Sequence, residues 1–353
     1  MPDSAAPRVP WQVKYFALVL IWGSSFLLMK VGLESLGAVQ IAMLRLATGA
    51  ATILVLLWLR GGRLPGRGPG ERWVWGHLVV TGLLLGALPF TLFALSETRV
   101  GSALAGIGNA TTPIATVLAT MAFLPGARTT RAKALAVVVG FAGVVTIMQP
   151  WTSERPDLLG FGMALLGGAC YGVGWTYNRR FLAGADLGGL SQPAATLLMG
   201  TLLMVPATIV WGLLQPGGIS SVWAYDRARL GTSGIEAGGA GGGWPWLPLL
   251  CILALGMVGT GAAYILQFDV VRGAGPIVGS TITYLIPIVS VLLGVLVLGE
   301  ALTVWELVGF AIVLAAAAVI NAPATGLGSP RRSRLAGTRT SRDLDGEPSA
   351  APR

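Results

Sequence analysis

Apolar residues run along this chain in blocks of about 20, separated by shorter segments that gather much of the charge, glycine and proline. A block of that length is what a helix needs to cross the hydrocarbon core of a bilayer. Ten are legible, at residues 14–33, 37–59, 74–96, 101–124, 131–149, 158–179, 191–214, 246–268, 275–298 and 302–321. Backbone groups in hydrocarbon must be hydrogen-bonded internally, which excludes open sheets and lipid-exposed loops. The pattern predicts an all-α integral membrane protein with ten transmembrane helices. Apart from the bases counted with the flanking segments, two lie within blocks: Lys30, in "LIWGSSFLLMKVG" (residues 20–32), and Arg45, in the second block.

Composition removes the soluble alternative. Only 11% of the 353 residues are charged, too few to cover a soluble domain of this length, and mean hydropathy is +0.73. The net charge of +9 raises nucleic acid as a partner, but the bases are scattered through short linkers and no such partner is expected. Their placement reads as topology. With the N-terminus in the cytoplasm, inner segments hold eighteen Lys and Arg while outer ones hold Arg99, Arg155, Arg227 and Arg229, so both termini are expected inside a cell membrane. Cys170 and Cys251 lie in apolar blocks and read as core residues rather than a disulfide framework. The first block lacks a cleavage-like site and reads as a retained helix. Residues 215–245 form an outward linker with a flexible Gly-rich end, and 322–353 a disordered cytoplasmic tail. The tail's arginines set topology, with contact to anionic lipid the lesser alternative.

The halves 14–149 and 158–321 resemble each other. Trp22-Gly23 aligns with Tyr171-Gly172, Lys30 with Arg179, Pro113 with Pro287 and Thr129 with Thr303. Five spans per half force the second half to enter the membrane upside down. The linker charges agree: Arg128, Arg131 and Lys133 follow the fourth span, Glu300 and Glu306 the ninth. Inverted repeats of this kind characterise alternating-access carriers, with the site near the midplane between the halves.

Trp22-Gly23-Ser24-Ser25-Phe26 followed by Lys30, "LRLATGA" around Arg45, and the "P…LGE-L-T" ends of the fourth and ninth spans, in that order, resemble the EamA-type branch of the drug/metabolite transporter superfamily. The resemblance covers residues 14–321 and departs at Gly126, which stands where the second half has Glu300, and in the long 215–245 linker. It implies a secondary transporter for small metabolites, amino acids or drugs, with export the favoured direction.

Pro113 and Pro287 each remove a backbone donor and free the carbonyl four residues earlier, on Asn109 and Thr283, which a midplane site would use. With Trp22, Ser25, Thr112, Tyr171, Trp175, Tyr264 and Lys30 they make up the candidate substrate-binding set, an apolar pocket with a few polar groups. Tyr177, at a span end, reads as an interfacial belt residue. Gly160, Ala164, Gly168 and Gly172 in the sixth span, Gly82 and Gly86 in the third, and Ala311 and Ala315 in the tenth read as close-packing faces. Lys30 lies 16 residues past Lys14, about 24 Å along a helix, close to the outer boundary. It either snorkels, pairs with Glu300, or attracts an anionic substrate at the outer mouth. Arg45 and Glu300 are assigned structural or ion-pair roles. Glu97, Asp269 and Glu300 all fall near helix ends, which argues against a midspan proton relay.

An enzyme finds little support. His77 is the one histidine, so neither a two-His metal site nor a His-paired nucleophile assembles, and no G-x-x-x-x-G-K-[ST] loop is present. No cofactor is expected. Besides the bilayer and a small-molecule substrate, a homodimer stays open, as does a non-transporting scaffold or receptor.

Overall fold

The computed structural model describes residues 9–66, 68, 71–100, 102–124, 130–152, 157–185, 187–226, 246–298 and 303–321. Glu300, Gly126, Arg128, Thr129, most of the 215–245 linker and the 322–353 tail lie outside them. Among the described residues the secondary structure is entirely helical. In chain order the helices are α1 (Trp11–Gly23), α2 (Ser25–Gly32), α3 (Ala38–Leu59), α4 (Arg72–Gly82), α5 (Leu88–Glu97), α6 (Ser102–Asn109), α7 (Thr112–Phe123), α8 (Arg131–Met148), α9 (Leu158–Phe181), α10 (Ser191–Leu213), α11 (Leu247–Gly256), α12 (Ala263–Ser280), α13 (Ile282–Leu298) and α14 (Val304–Asn321).

Among the described residues, seven helical stretches are long and apolar enough to cross a membrane: Trp11–Gly32, Ala38–Leu59, Arg72–Glu97, Arg131–Met148, Leu158–Phe181, Ser191–Leu213 and Leu247–Ser280. Val304–Ile320 is a shorter apolar helix. The block expected as one helix over 101–124 is instead two, α6 and α7, meeting at Ala110 and Thr111. Pro113, in the first turn of α7, has no N–H to continue the ladder. The boundary expected between 268 and 275 falls at Gly275, inside α12, where φ is 88°. That conformation is open to glycine and strained for any L side chain, and Pro276 follows it directly.

Two π-helical stretches interrupt the ladder, Leu83–Ala87 between α4 and α5 and Met257–Ala262 between α11 and α12. Pro89 accounts for the first, because its ring displaces the bond to the Leu85 carbonyl one turn back. In the second, Thr260 turns its hydroxyl onto the Leu255 carbonyl five residues earlier, at 3.2 Å.

The packing is inverted relative to a water-soluble bundle. Leu20, Trp58, Leu118, Leu135 and Leu202 are exposed, whereas Ser25, Arg45, Asn109, Thr116 and Gln267 are buried. One apolar cluster gathers Leu18, Ile107, Val144, Ala263, Ile282 and Val313, and another Leu46, Ile53, Phe90, Leu197, Tyr264 and Phe268. Each draws on both ends of the sequence, so neither half has a core of its own.

The small-residue faces of α4 and α9 bring backbones together. A Cβ on Gly172 would lie 2.7 Å from the Thr116 amide nitrogen, and one on Gly82 would lie 2.6 Å from that of Gly200. The tenth block behaves differently. Ala311 and Ala315 are exposed, and α14 packs on α8 through Val313, Ala316 and Ile320, with Gly309 against the Gly143 carbonyl. Alanine spacing alone did not decide the packing face, because Val313, Ala316 and Ile320 offer an equally apolar one.

Asp157 caps α9, accepting from the Gly160 amide at 2.8 Å, and its other oxygen accepts from Arg99 Nη1 at 3.2 Å. These bonds, the Gly160 amide first and then Arg99, hold the carboxyl below its ordinary value near 3.8. A carboxylate with a depressed folded-state pKa stabilises the fold above its unfolded value and loses that contribution as pH falls through the folded one. Asp157→Ala is therefore expected to lower the thermal midpoint in detergent at pH 7, and the deficit should narrow below pH 3.8. A deficit of the same size at both pH values would rule out the ionised cap.

Candidate functional site

Broken helices surround a central cavity of about 650 Å³, counting space open to solvent. Its wall takes Trp22, Ser25, Phe26 and Met29 from α1 and α2, Arg45 from α3, and Phe90 and Phe93 from α5. Asn109 and Thr112 come from the α6–α7 break, Tyr171 and Trp175 from α9, and Tyr264 and Gln267 from α12. Gly279, Ser280, Thr283 and Ile286 complete it around the α12–α13 junction.

The helix irregularities hold this wall in place. The Leu85 carbonyl freed by Pro89 accepts the Tyr264 hydroxyl. The Gly259 carbonyl, inside the second π-helical stretch, accepts Trp22 Nε1 at 2.9 Å, and Thr260 Oγ1 accepts Arg45 Nε at 2.8 Å. Helix bulges release backbone groups from the regular ladder, and here they anchor side chains from other helices. The rings interlock: Phe93 stacks on Tyr171 at 5.9 Å, and Trp175 meets Tyr264 at 6.1 Å and Phe268 at 5.1 Å. The Arg45 guanidinium lies 4.0 Å over the centre of Phe90.

The structure places Trp22, Ser25, Asn109, Thr112, Tyr171, Trp175, Tyr264 and Thr283 together on the wall. Pro113 and Pro287 are buried but off it, and Lys30 is exposed at the end of α2, away from the cavity. The Asn109 carbonyl freed by Pro113 accepts the Thr112 hydroxyl at 2.7 Å, so a neighbour takes the acceptor expected for a ligand. Arg45, expected as a structural residue, faces the cavity, and Glu300 lies outside the described residues. Phe26, Met29, Phe90 and Phe93 were not anticipated. Trp22, Phe26 and Met29 fall at i, i+4 and i+7, a face that helical spacing would have joined.

Polar networks lie at both ends of the bundle. At one, Lys14 pairs with Asp269, and Arg272 Nη1 reaches the same carboxylate at 3.4 Å. Arg272 Nη2 also donates to Gln192 Oε1 at 3.1 Å, and Gln192 Nε2 to Asn178 Oδ1 at 2.8 Å. At the other, Gln40 Nε2 donates to the carbonyls of Val222 at 3.0 Å and Ala224 at 2.9 Å. The Asp226 amide there donates to the Ser35 carbonyl at 3.0 Å.

A wall of inward polar and aromatic groups inside a bundle whose outer face is apolar defines a multi-pass membrane transporter. The model of the EamA-like transporter family matches residues 10–149 and again 158–322, and the chain belongs to that family. It is 24% identical over 314 residues to the "Uncharacterized inner membrane transporter YedA" of Escherichia coli (strain K12), covering 87% of this chain and 89% of the relative. It is 26% identical over 329 residues to the "Uncharacterized transporter YwfM" of Bacillus subtilis (strain 168), covering 91% and 96%. A solved structure titled only "Crystal structure of protein" shares the fold, with a TM-score of 0.62 at 22% identity over 88% of this chain and 95% of that one. The family is one of transporters, and the chain is not an enzyme.

Proposed function

We propose that the chain is a secondary carrier that moves a small molecule through the central cavity by alternating access, with export the favoured direction. The observation that carries this reading is the wall itself, which takes its side chains from both halves and from breaks in their helices. In this reading residues 14–149 and 158–321 are five-span repeats of opposite orientation, ten spans in all. The residue offset that sets Pro287 against Pro113 also sets Met257, the start of the second π-helical stretch, against Leu83, the start of the first. That shared irregularity supports the repeat. Both termini lie in the cytoplasm, on the distribution of bases, and the membrane is the cytoplasmic one, as the name of the Escherichia coli relative suggests.

On that topology the Lys14, Asp269, Arg272 and Gln192 network closes the cytoplasmic end, and a transport cycle has to open it. Lys14→Cys with Asp269→Cys, in a chain whose Cys170 and Cys251 are replaced by serine, tests this in proteoliposomes. A short reducible thiol cross-linker should stop counterflow, and reduction should restore it. Unchanged counterflow in the fully cross-linked protein would sink the alternating-access reading.

A further inference from the structure

The chemistry of the wall narrows what the cavity takes. Among the described residues, Arg45 is the one charged side chain on it. Its Nε is held by Thr260 and its face by Phe90, while no described residue accepts a hydrogen bond from its Nη atoms. The guanidinium is thus fixed in place with its strongest donors uncommitted. Glu97, one turn beyond Phe93, lies off the wall. A second observation is independent of charge. Asn109 and Gln267 are buried, 7% and 1% exposed, and both line the cavity. Among the described residues, Asn109 Oδ1 and Gln267 Oε1 have no hydrogen-bond partner. A buried acceptor left unpaired is costly, and a ligand carrying a donor removes that cost.

We propose that the cavity binds a small organic carboxylate with a flat apolar body and an O–H or N–H donor near the carboxylate. Arg45 holds the anion, the amide oxygens of Asn109 and Gln267 take the donor, and the rings of Trp22, Tyr171 and Trp175 sandwich the body. A fixed guanidinium presents paired N–H groups that match a carboxylate, and the same charge repels an organic cation. The proposal rests on the reading of this cavity as the transport site.

The test titrates purified protein, following tryptophan fluorescence, with phenyllactate, its neutral amide, phenylalanine and phenethylamine. Phenyllactate is expected to bind at least about tenfold more tightly than its amide, and phenethylamine more weakly than either. Phenylalanine matching phenyllactate would identify an ammonium as the donor, and phenylalanine binding more weakly would identify a hydroxyl; both support the anion site. Arg45→Met should make carboxylate and amide equal, and Arg45→Lys should keep part of the preference. The wild-type ranking needs no variant to fold. If the amide or the amine binds wild type as tightly as the carboxylate, or if no carboxylate binds saturably, the proposal is overturned. Counterflow in proteoliposomes separates it from the carrier reading. A carboxylate that binds without exchanging leaves the anion site and removes the carrier, whereas exchange of phenethylamine alone leaves the carrier and removes the anion site.

Discussion

Gly168→Leu is expected to prevent the chain from reaching its folded state, while Gly162→Leu, six residues away on the same helix, leaves it intact. The two glycines look alike in sequence and differ in what they face. A Cβ at position 168 would lie 2.7 Å from the Thr111 hydroxyl and closer still to the Gly108 carbonyl, whereas nothing lies within 4 Å of one at position 162. The obstruction at 168 is backbone at the end of α6, which has no rotamer by which to retreat. Overpacking of a buried contact costs about 1–3 kcal/mol when neighbours shift, and here the shift would have to move a whole helix. Lipid supplies no hydrophobic drive to press α9 against α6 and α7 again, since their association depends on close approach. Size-exclusion profiles and thermal midpoints in detergent read the outcome. Equal behaviour of the two variants would mean that this contact does not hold the bundle together.

Pro89→Ala is expected to leave the protein as stable as wild type, or more so, and to reduce transport about tenfold, a loss of about 1.4 kcal/mol. An alanine at position 89 regains the amide hydrogen that a regular helix sends to the Leu85 carbonyl. That carbonyl is the acceptor of the Tyr264 hydroxyl, so the new backbone bond competes with the bond that fixes Tyr264 on the wall. Tyr264→Phe removes the donor instead and should cause a similar loss. If both act through one hydrogen bond, the double variant is no worse than either alone. Losses that multiply would show that Pro89 and Tyr264 act separately.

The blocks of apolar residues and the inward placement of Trp22, Asn109, Tyr171 and Thr283 were legible because hydrocarbon imposes a simple rule: a long apolar run is a helix, and a polar group inside it must face the bundle. Helix interruptions were harder to read. Pro113 and Pro287 stood out as midspan prolines, but Pro89, which shapes the wall through the first π-helical stretch, stands in "LGALPFTLF" and looks no different. The sequence shows that a proline frees a carbonyl and does not show who accepts it. The Asn109 carbonyl meets Thr112 three residues on, while the Leu85 carbonyl meets Tyr264, 179 residues away. That Arg45 lines the cavity was hidden for the same reason. Its anchor, Thr260, is distant in sequence, so a base within an apolar run read as an ion-pair residue.

The distance between Arg45 and Thr260 also bears on how the chain is made. They are 215 residues apart, and synthesis at about 5–20 residues per second puts about 10–40 s between them. During that interval α3 has to enter the membrane with an arginine whose partner does not yet exist. Insertion scales set such a charge at about 2.5–3.5 kcal/mol at the centre of a helix and credit each leucine or isoleucine with about 0.3–0.6 kcal/mol. The long apolar end of α3, "ILVLLWL", supplies that credit within the same helix. Those residues therefore have a task at the translocon that is finished before the cavity exists.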